Sequence, residues 1–257
     1  MAKLIIEIVP VLSDNYVFLL HEPLSGATAA VDPAVPGPVL KVLGARGWSL
    51  SHILNTHHHG DHTGGNIELQ RATGCAVVAA GRDADRIPGV TVEVREGDTF
   101  LLGNAAAMVL EVPGHTSGHI AFWFPDSEAL FCGDSLFSLG CGRLFEGTPE
   151  QMWHSLLKLR ELPLSTRVFC AHEYTQSNGR FARLAERDNA ALLARIEEAD
   201  RLRAQGRPTL PSTIASERAC NPFLRADQPS VARAVGMEPG ADPVAVFTEL
   251  RRRKDVF

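Results

Sequence analysis

Short apolar runs separated by polar turns set the rhythm of the first two thirds of the chain. Runs rich in β-branched and aromatic residues at 4–9 (LIIEIV), 16–20 (YVFLL), 51–56 (SHILNT), 76–79 (AVVA) and 106–112 (AAMVLEV) predict strands. The runs at 120–124 (IAFWF), 129–132 (ALFC) and 167–170 (RVFC) extend the series. Gly, Pro, Asp and Asn between them mark strand ends and loops. Helical spacing interrupts the strands from Pro38 to Ala45, closed near Gly47, and from Ile67 to Ala72, closed near Gly74. Thr148-Pro149-Glu150-Gln151 reads as an N-cap, a proline in the first turn and a capping-box glutamine. The helix it opens carries Trp153, Leu156, Leu157 and Leu159 on one broad face.

Beyond about Tyr174 the pattern turns helical. Leu192, Leu193, Ile196, Ala199 and Leu202 recur at amphipathic spacing, with Arg201 and Arg203 on the wet side. Asp242-Pro243 is a second cap-and-start signal, followed by Val244, Val246, Phe247 and Leu250. The expected architecture is α/β, with a mixed sheet domain over residues 1–172 and a smaller α-helical domain over 173–257.

Composition narrows the function classes. A net charge of -5 gives no broad electrostatic case for nucleic acid. No apolar run reaches the roughly 18 residues that predict a membrane-spanning helix. The apolar opening is split by Glu7, Pro10, Ser13, Asp14 and Asn15 and reads as strands rather than a signal peptide, so a cytoplasmic protein is expected. Cys75, Cys132, Cys141, Cys170 and Cys220 are odd in number and form no Cys-x-x-Cys pair, which predicts free, buried thiols.

The histidines carry the chemistry. Asn55-Thr56-His57-His58-His59-Gly60-Asp61-His62 begins where a buried strand leaves the sheet. In an extended segment His57 and His59 share one side, while Asp61 and His62 reach a neighbouring position beyond Gly60. Three later strand ends deliver His115, Asp134 and His172. Imidazole and carboxylate donors suit Zn, Fe or Mn, whereas closed structural zinc sites often use thiolates. His58 points away from the alternating pair and His119 starts the next strand, so both read as packing or supporting residues. Neither a Gly-x-Ser-x-Gly elbow nor a Walker or Rossmann loop is present, which removes the usual covalent and nucleotide-binding readings.

This constellation resembles the metallo-β-lactamase superfamily, with its His-x-His-x-Asp-His motif and distant His, Asp and His. The resemblance implies an αββα sandwich in which His57, His59 and His115 bind one ion, Asp61, His62 and His172 bind a second, and Asp134 bridges both. It narrows to the glyoxalase II (hydroxyacylglutathione hydrolase) family through DNYVFLL, THHHGDHTGGN, PGHTSGH, GDSLFSLGCGRLFEGT, AHEYTQSN, PSTIASERACNPFLR and RRRKDVF. That resemblance implies hydrolysis of S-(2-hydroxyacyl)glutathione, chiefly the D-lactoyl thioester, by a metal-activated hydroxide, with catalytic roles for Asp61 and Asp134. It also implies glutathione contacts from Arg143, Phe145, Tyr174, Arg251 and Lys254 in a monomer holding two divalent ions, most simply Zn, with Fe or Mn as alternatives. Phe145 and Arg253 depart from the family pattern, where tyrosine and an acidic residue are often found. By itself, Arg251-Arg252-Arg253-Lys254 reads as a solvated, dipole-complementing helix end. A one-iron persulfide dioxygenase, a lactonase or β-lactamase, and a non-enzymatic metal-binding module are the competing readings.

Overall fold

The computed structural model describes residues 3–257, and the chain divides into two compact units. One unit comprises the residues up to Glu111 together with Gly118–Gly133; the other comprises Val112–Ser117 and Asp134–Phe257.

In the first unit, β1 (Ile5–Val11), β2 (Asn15–His21) and β3 (Thr28–Val31) form an antiparallel meander. A helix, α1 (Pro36–Arg46), crosses over to β4 (Leu50–Leu54), which pairs parallel with β3. The short α2 (Gly60–Thr63) and α3 (Asn66–Thr73) lead to β5 (Ala76–Ala80) and then β6 (Val92–Val94), both continuing the parallel half. Strands β7 (Thr99–Leu102), β8 (Ala105–Glu111), β9 (Ile120–Phe124) and β10 (Ala129–Gly133) form an antiparallel set in the order β10-β9-β8-β7.

Alternation along β2 explains the layers. Val17 and Leu19 pack with Val39, Leu43, Ile53 and Leu69 on the helical side. Phe18 faces the other way and meets Phe131 of β10, ring centroids 5.6 Å apart. The strand is thus buried on both faces and reads as a continuous apolar run. β3 escaped the sequence reading for the same reason: Thr28-Ala29-Ala30-Val31 is short, wholly buried and shows no period-two contrast. Gly47 and Gly74 close α1 and α3 in the left-handed conformation, as their positions predicted.

In the second unit, β11 (Leu136–Phe137) and β12 (Gly140–Cys141) make a tight hairpin, followed by α4 (Pro149–Arg160). β13 (Arg167–Cys170) pairs with β14 (Ser212–Thr213), and between them lie α5 (Thr175–Ala185) and α6 (Ala190–Ala204). Helices α7 (Ile214–Cys220), α8 (Pro229–Ala234) and α9 (Pro243–Asp255) complete the unit. Trp153 of α4 meets Phe247 of α9 at 6.2 Å, and Phe223 bridges Phe247 and Phe181, each at 5.9 Å.

Buried polar residues also organise this unit. Arg195 of α6 is turned inward and donates to the Ser138 hydroxyl and the Thr209 carbonyl. Arg253 donates to Glu249 and to the carbonyls of Ala234 and Val235, where α8 ends. Its departure from the family pattern is thereby tied to a helix terminus. All five cysteines are free and buried. Burial raises the Cys75 thiol above its usual range, pushes Cys141 up to about 11, and pushes Cys170 and Cys220 up to about 12.

Both halves of the expected capping box on α4 form: Thr148 accepts from the Gln151 N–H, and Gln151 accepts from the Thr148 N–H. Thr148→Ala should lower stability by about 1 kcal/mol and the melting midpoint by roughly 2–4 °C. Thermal unfolding checks this, with Thr148→Ser expected to stay close to the parent.

Candidate active site

The first unit gathers four of the sequence-predicted ligands at the end of β4. Asn55 anchors the exit, accepting from Asn66 at 2.7 Å and donating to the His62 carbonyl at 3.0 Å. The chain then turns through His57–His59 into α2, where the His62 N–H bonds the His59 carbonyl at 3.0 Å. His57 Nε2 comes within 3.1 Å of His59 Nδ1, and the rings of His57 and His62 lie 4.1 Å apart. Asp61 Oδ2 sits 3.7 Å from His62 Nε2 and accepts from the Asn15 amide at 3.0 Å.

The second unit gathers the remaining three. Asp134 Oδ2 lies 3.4 Å from both His115 Nε2 and His172 Nε2. The His115 Nδ1–H donates to the Arg143 carbonyl at 2.8 Å, which leaves its other nitrogen directed at Asp134. This packing depends on Gly142, since a β-carbon there would stand 2.0 Å from the Asp134 carbonyl oxygen and 3.1 Å from His115 Nδ1.

The donor set fits divalent metal. Ring nitrogens and carboxylate oxygens converge in each unit, with His57, His62, His115, Asp134 and His172 buried and His59 and Asp61 partly exposed, and none of the five buried thiols belongs to either group. That chemistry matches Zn, Fe or Mn and an open, catalytic type of centre.

His58 is directed away, with Nδ1 3.2 Å from Asp83 and Nε2 2.6 Å from the Arg86 guanidinium. His119 stacks on His57 at 4.6 Å, its Nδ1 3.1 Å from the Ile120 carbonyl. Asp32, Asn15 and Asp83 were not singled out beforehand. Each is a single polar residue remote in sequence from the histidine motif, and only the folded sheet reveals what it touches.

The predicted substrate residues, all in the second unit, fall into two kinds. Tyr174 stacks on His172 at 4.7 Å, and the exposed Phe145 meets the His115 ring edge at 5.3 Å. Arg143, two positions before Phe145, is exposed. Arg251, by contrast, is buried: it donates to the Cys141 carbonyl at 3.0 Å, pairs with Asp255 at 2.9 Å and lies over the Phe223 ring. Lys254 is half-buried over Phe181 and Phe257. Burial, reinforced by Arg251, Arg180 and Arg143, lowers its ammonium to about 8.

Comparison with known proteins decides the family. Residues 16–172 match the family described as the metallo-β-lactamase superfamily, and residues 173–257 match the hydroxyacylglutathione hydrolase C-terminus. A hydroxyacylglutathione hydrolase of Methylococcus capsulatus is 63% identical over 249 residues, covering 97% of each chain. The chain belongs to the hydroxyacylglutathione hydrolase family. A second member of that family, from Rhodospirillum rubrum, is 54% identical over the full length of both chains. The metallo-β-lactamase fold is shared with the crystal structure of ETHE1 from Myxococcus xanthus, at a TM-score of 0.70 and 24% identity, covering 96% of this chain and 90% of that one.

Gly142→Ala is expected to destabilise the hydroxyacylglutathione hydrolase fold here by about 1–3 kcal/mol, because the added carbon meets backbone rather than a yielding side chain. Denaturant unfolding measures the loss, and an unchanged midpoint would contradict the close approach.

Proposed function

We propose that this chain hydrolyses S-(2-hydroxyacyl)glutathione thioesters, chiefly S-D-lactoylglutathione, to the hydroxy acid and glutathione. One observation carries the reading: a single oxygen of Asp134 lies equally close to His115 and His172. Those histidines belong to the two different ion sets suggested by the motif, and a carboxylate so placed is suited to bridging. His57, His59 and His115 would hold one divalent cation, and Asp61, His62 and His172 the other. Zinc is the simplest assignment, with iron or manganese compatible with the same donors. When bound, such a pair supplies Lewis acidity at the carbonyl and lowers the pKa of water enough for attack near neutral pH.

The protein groups then have separable tasks. Asp61, held by the Asn15 amide, would orient the attacking water through a carboxylate oxygen. Attack at the thioester carbon gives a tetrahedral oxyanion, and its collapse breaks the carbon–sulfur bond and releases glutathione thiolate. Arg143, Tyr174 and Lys254 are suited to the peptide and its carboxylates, with Phe145 as an apolar wall. Arg251 is assigned to the same region as a buried cation behind Lys254. In this reading residues 1–172 supply the reaction centre together with Arg143 and Phe145, and residues 173–257 supply the remaining glutathione contacts. Among the described residues no helix is long and apolar enough to cross a membrane. We assign a cytoplasmic location on the five free, buried thiols, and a monomeric state.

Asp134→Ala should lose bound metal and nearly all turnover, whereas Lys254→Ala should chiefly raise KM. Metal analysis with steady-state kinetics on S-D-lactoylglutathione tests the pair. An Asp134→Ala protein that kept two ions and parental turnover would defeat the proposal, as would oxygen uptake without thioester hydrolysis.

The lowered Lys254 pKa gives a pH signature. The protonated ammonium attracts a carboxylate, and its population falls as pH rises through about 8. KM should therefore rise up to about tenfold between roughly pH 7 and pH 9, following the titration of a single group. Lys254→Arg keeps its charge across that window and should flatten the rise. An equally steep rise in the arginine variant would assign the effect to another group.

A further inference from the structure

Asp32 follows β3 in the left-handed region, with φ of 49°. Aspartate tolerates that region better than most residues. Its carboxylate is 3% exposed and has three contacts on the β4 exit. Oδ1 accepts the Thr56 N–H at 2.8 Å, and Oδ2 accepts the Thr56 hydroxyl at 2.7 Å. The same Oδ2 is 3.1 Å from His62 Nδ1. Thr56 Oγ1 in turn lies 3.0 Å from His57 Nδ1.

These contacts fix where the protons sit. His62 Nδ1 approaches the Asp32 carboxylate without hydrogen-bond geometry, but a bare ring lone pair 3.1 Å from a carboxylate oxygen is repelled, which favours N–H on His62 Nδ1. The Thr56 hydroxyl spends its one hydrogen on Asp32, so its oxygen can only accept from His57, which also places N–H on Nδ1. Each neutral ring then has its lone pair on Nε2.

We propose that Asp32, with Thr56 as its relay, sets the tautomers of His57 and His62 together and so prepares one imidazole for each of the two ions. The inference rests on the two-metal reading above. Asp32 is assigned as a positioning residue. Its oxygens lie close enough to His57 and His62 to make a third potential ligand group, but both are already occupied by Thr56. Metal-ligand partners of this kind typically change affinity by about 10–100-fold when removed.

The amide variant makes the argument sharp. In Asp32→Asn the Thr56 N–H still requires an oxygen at the Oδ1 position, which forces the NH2 group to the Oδ2 position. That group can only donate. His62 must then accept on Nδ1, and Thr56 must accept from the amide and donate to His57. Both rings are driven to the opposite tautomer by one change. Thr56→Val removes only the relay and should affect His57 alone.

Long-range nitrogen–proton NMR correlations on the metal-free full chain read the tautomers directly. The parent should show Nδ1–H on both rings; Thr56→Val should disturb His57 alone, Asp32→Asn both, and Thr56→Ser should restore the parent pattern. In zinc titrations of metal-free protein, Thr56→Val should weaken one of two binding events by about 10–100-fold and leave the other unchanged. Should Asp32→Asn fail to fold, the Thr56→Val and Thr56→Ser pair still decides the relay. Parent tautomers retained in Thr56→Val, with both zinc affinities intact, overturn the inference. A parent protein that takes up no zinc overturns the two-metal reading instead, and the NMR comparison still judges Asp32.

Discussion

Imidazole rings must have their lone pairs aimed at a common point before they can share an ion, and nothing intrinsic to a histidine-rich loop supplies that aim. Here direction comes from the opposite edge of each ring. His57 is held through Thr56, His62 through Asp32 and His115 through the Arg143 carbonyl. In these three rings Nδ1 faces a protein group and Nε2 is the nitrogen that points inward, whereas His59 turns its Nδ1 towards His57 Nε2. The sheets matter to function mainly because they deliver these partners to strand ends at fixed separations.

The same constraint accounts for the dense packing beneath the candidate ligands. β2 is buried on both faces, so the sheet behind the histidine loop has little freedom to slide. Asn55, Asn15 and Asn66 tie the loop to neighbouring elements through side-chain amides, and Gly142 lets the backbone pass against Asp134. A loop held this way loses little further freedom when its groups are used, which is the physical content of a preorganised site.

Much of this was legible in the sequence. Strands at 120–124 and 167–170 coincide with β9 and β13, and the signals at Thr148, Gly47, Gly74 and Asp242 mark real helix ends. The histidine motif stood out because four potential donors fall within six residues. β3, β6 and the β11–β12 hairpin did not, being too short for a period to emerge. Asp32 was hidden for a different reason: a lone carboxylate carries no pattern, and its importance lies wholly in neighbours 24 to 30 positions away in the chain. Arg251 and Arg195 show the converse limit, since helical spacing places a cation on a face without revealing that the face is covered.

The sequestered cysteines acquire a meaning beside a reaction whose proposed product is itself a thiol. Exchange with oxidised glutathione begins from a thiolate, and side chains pushed up to about 11 or 12 have almost none at neutral pH. Lack of access compounds the lack of charge. The protein is therefore built to release glutathione repeatedly while remaining a poor partner for mixed disulfides with it.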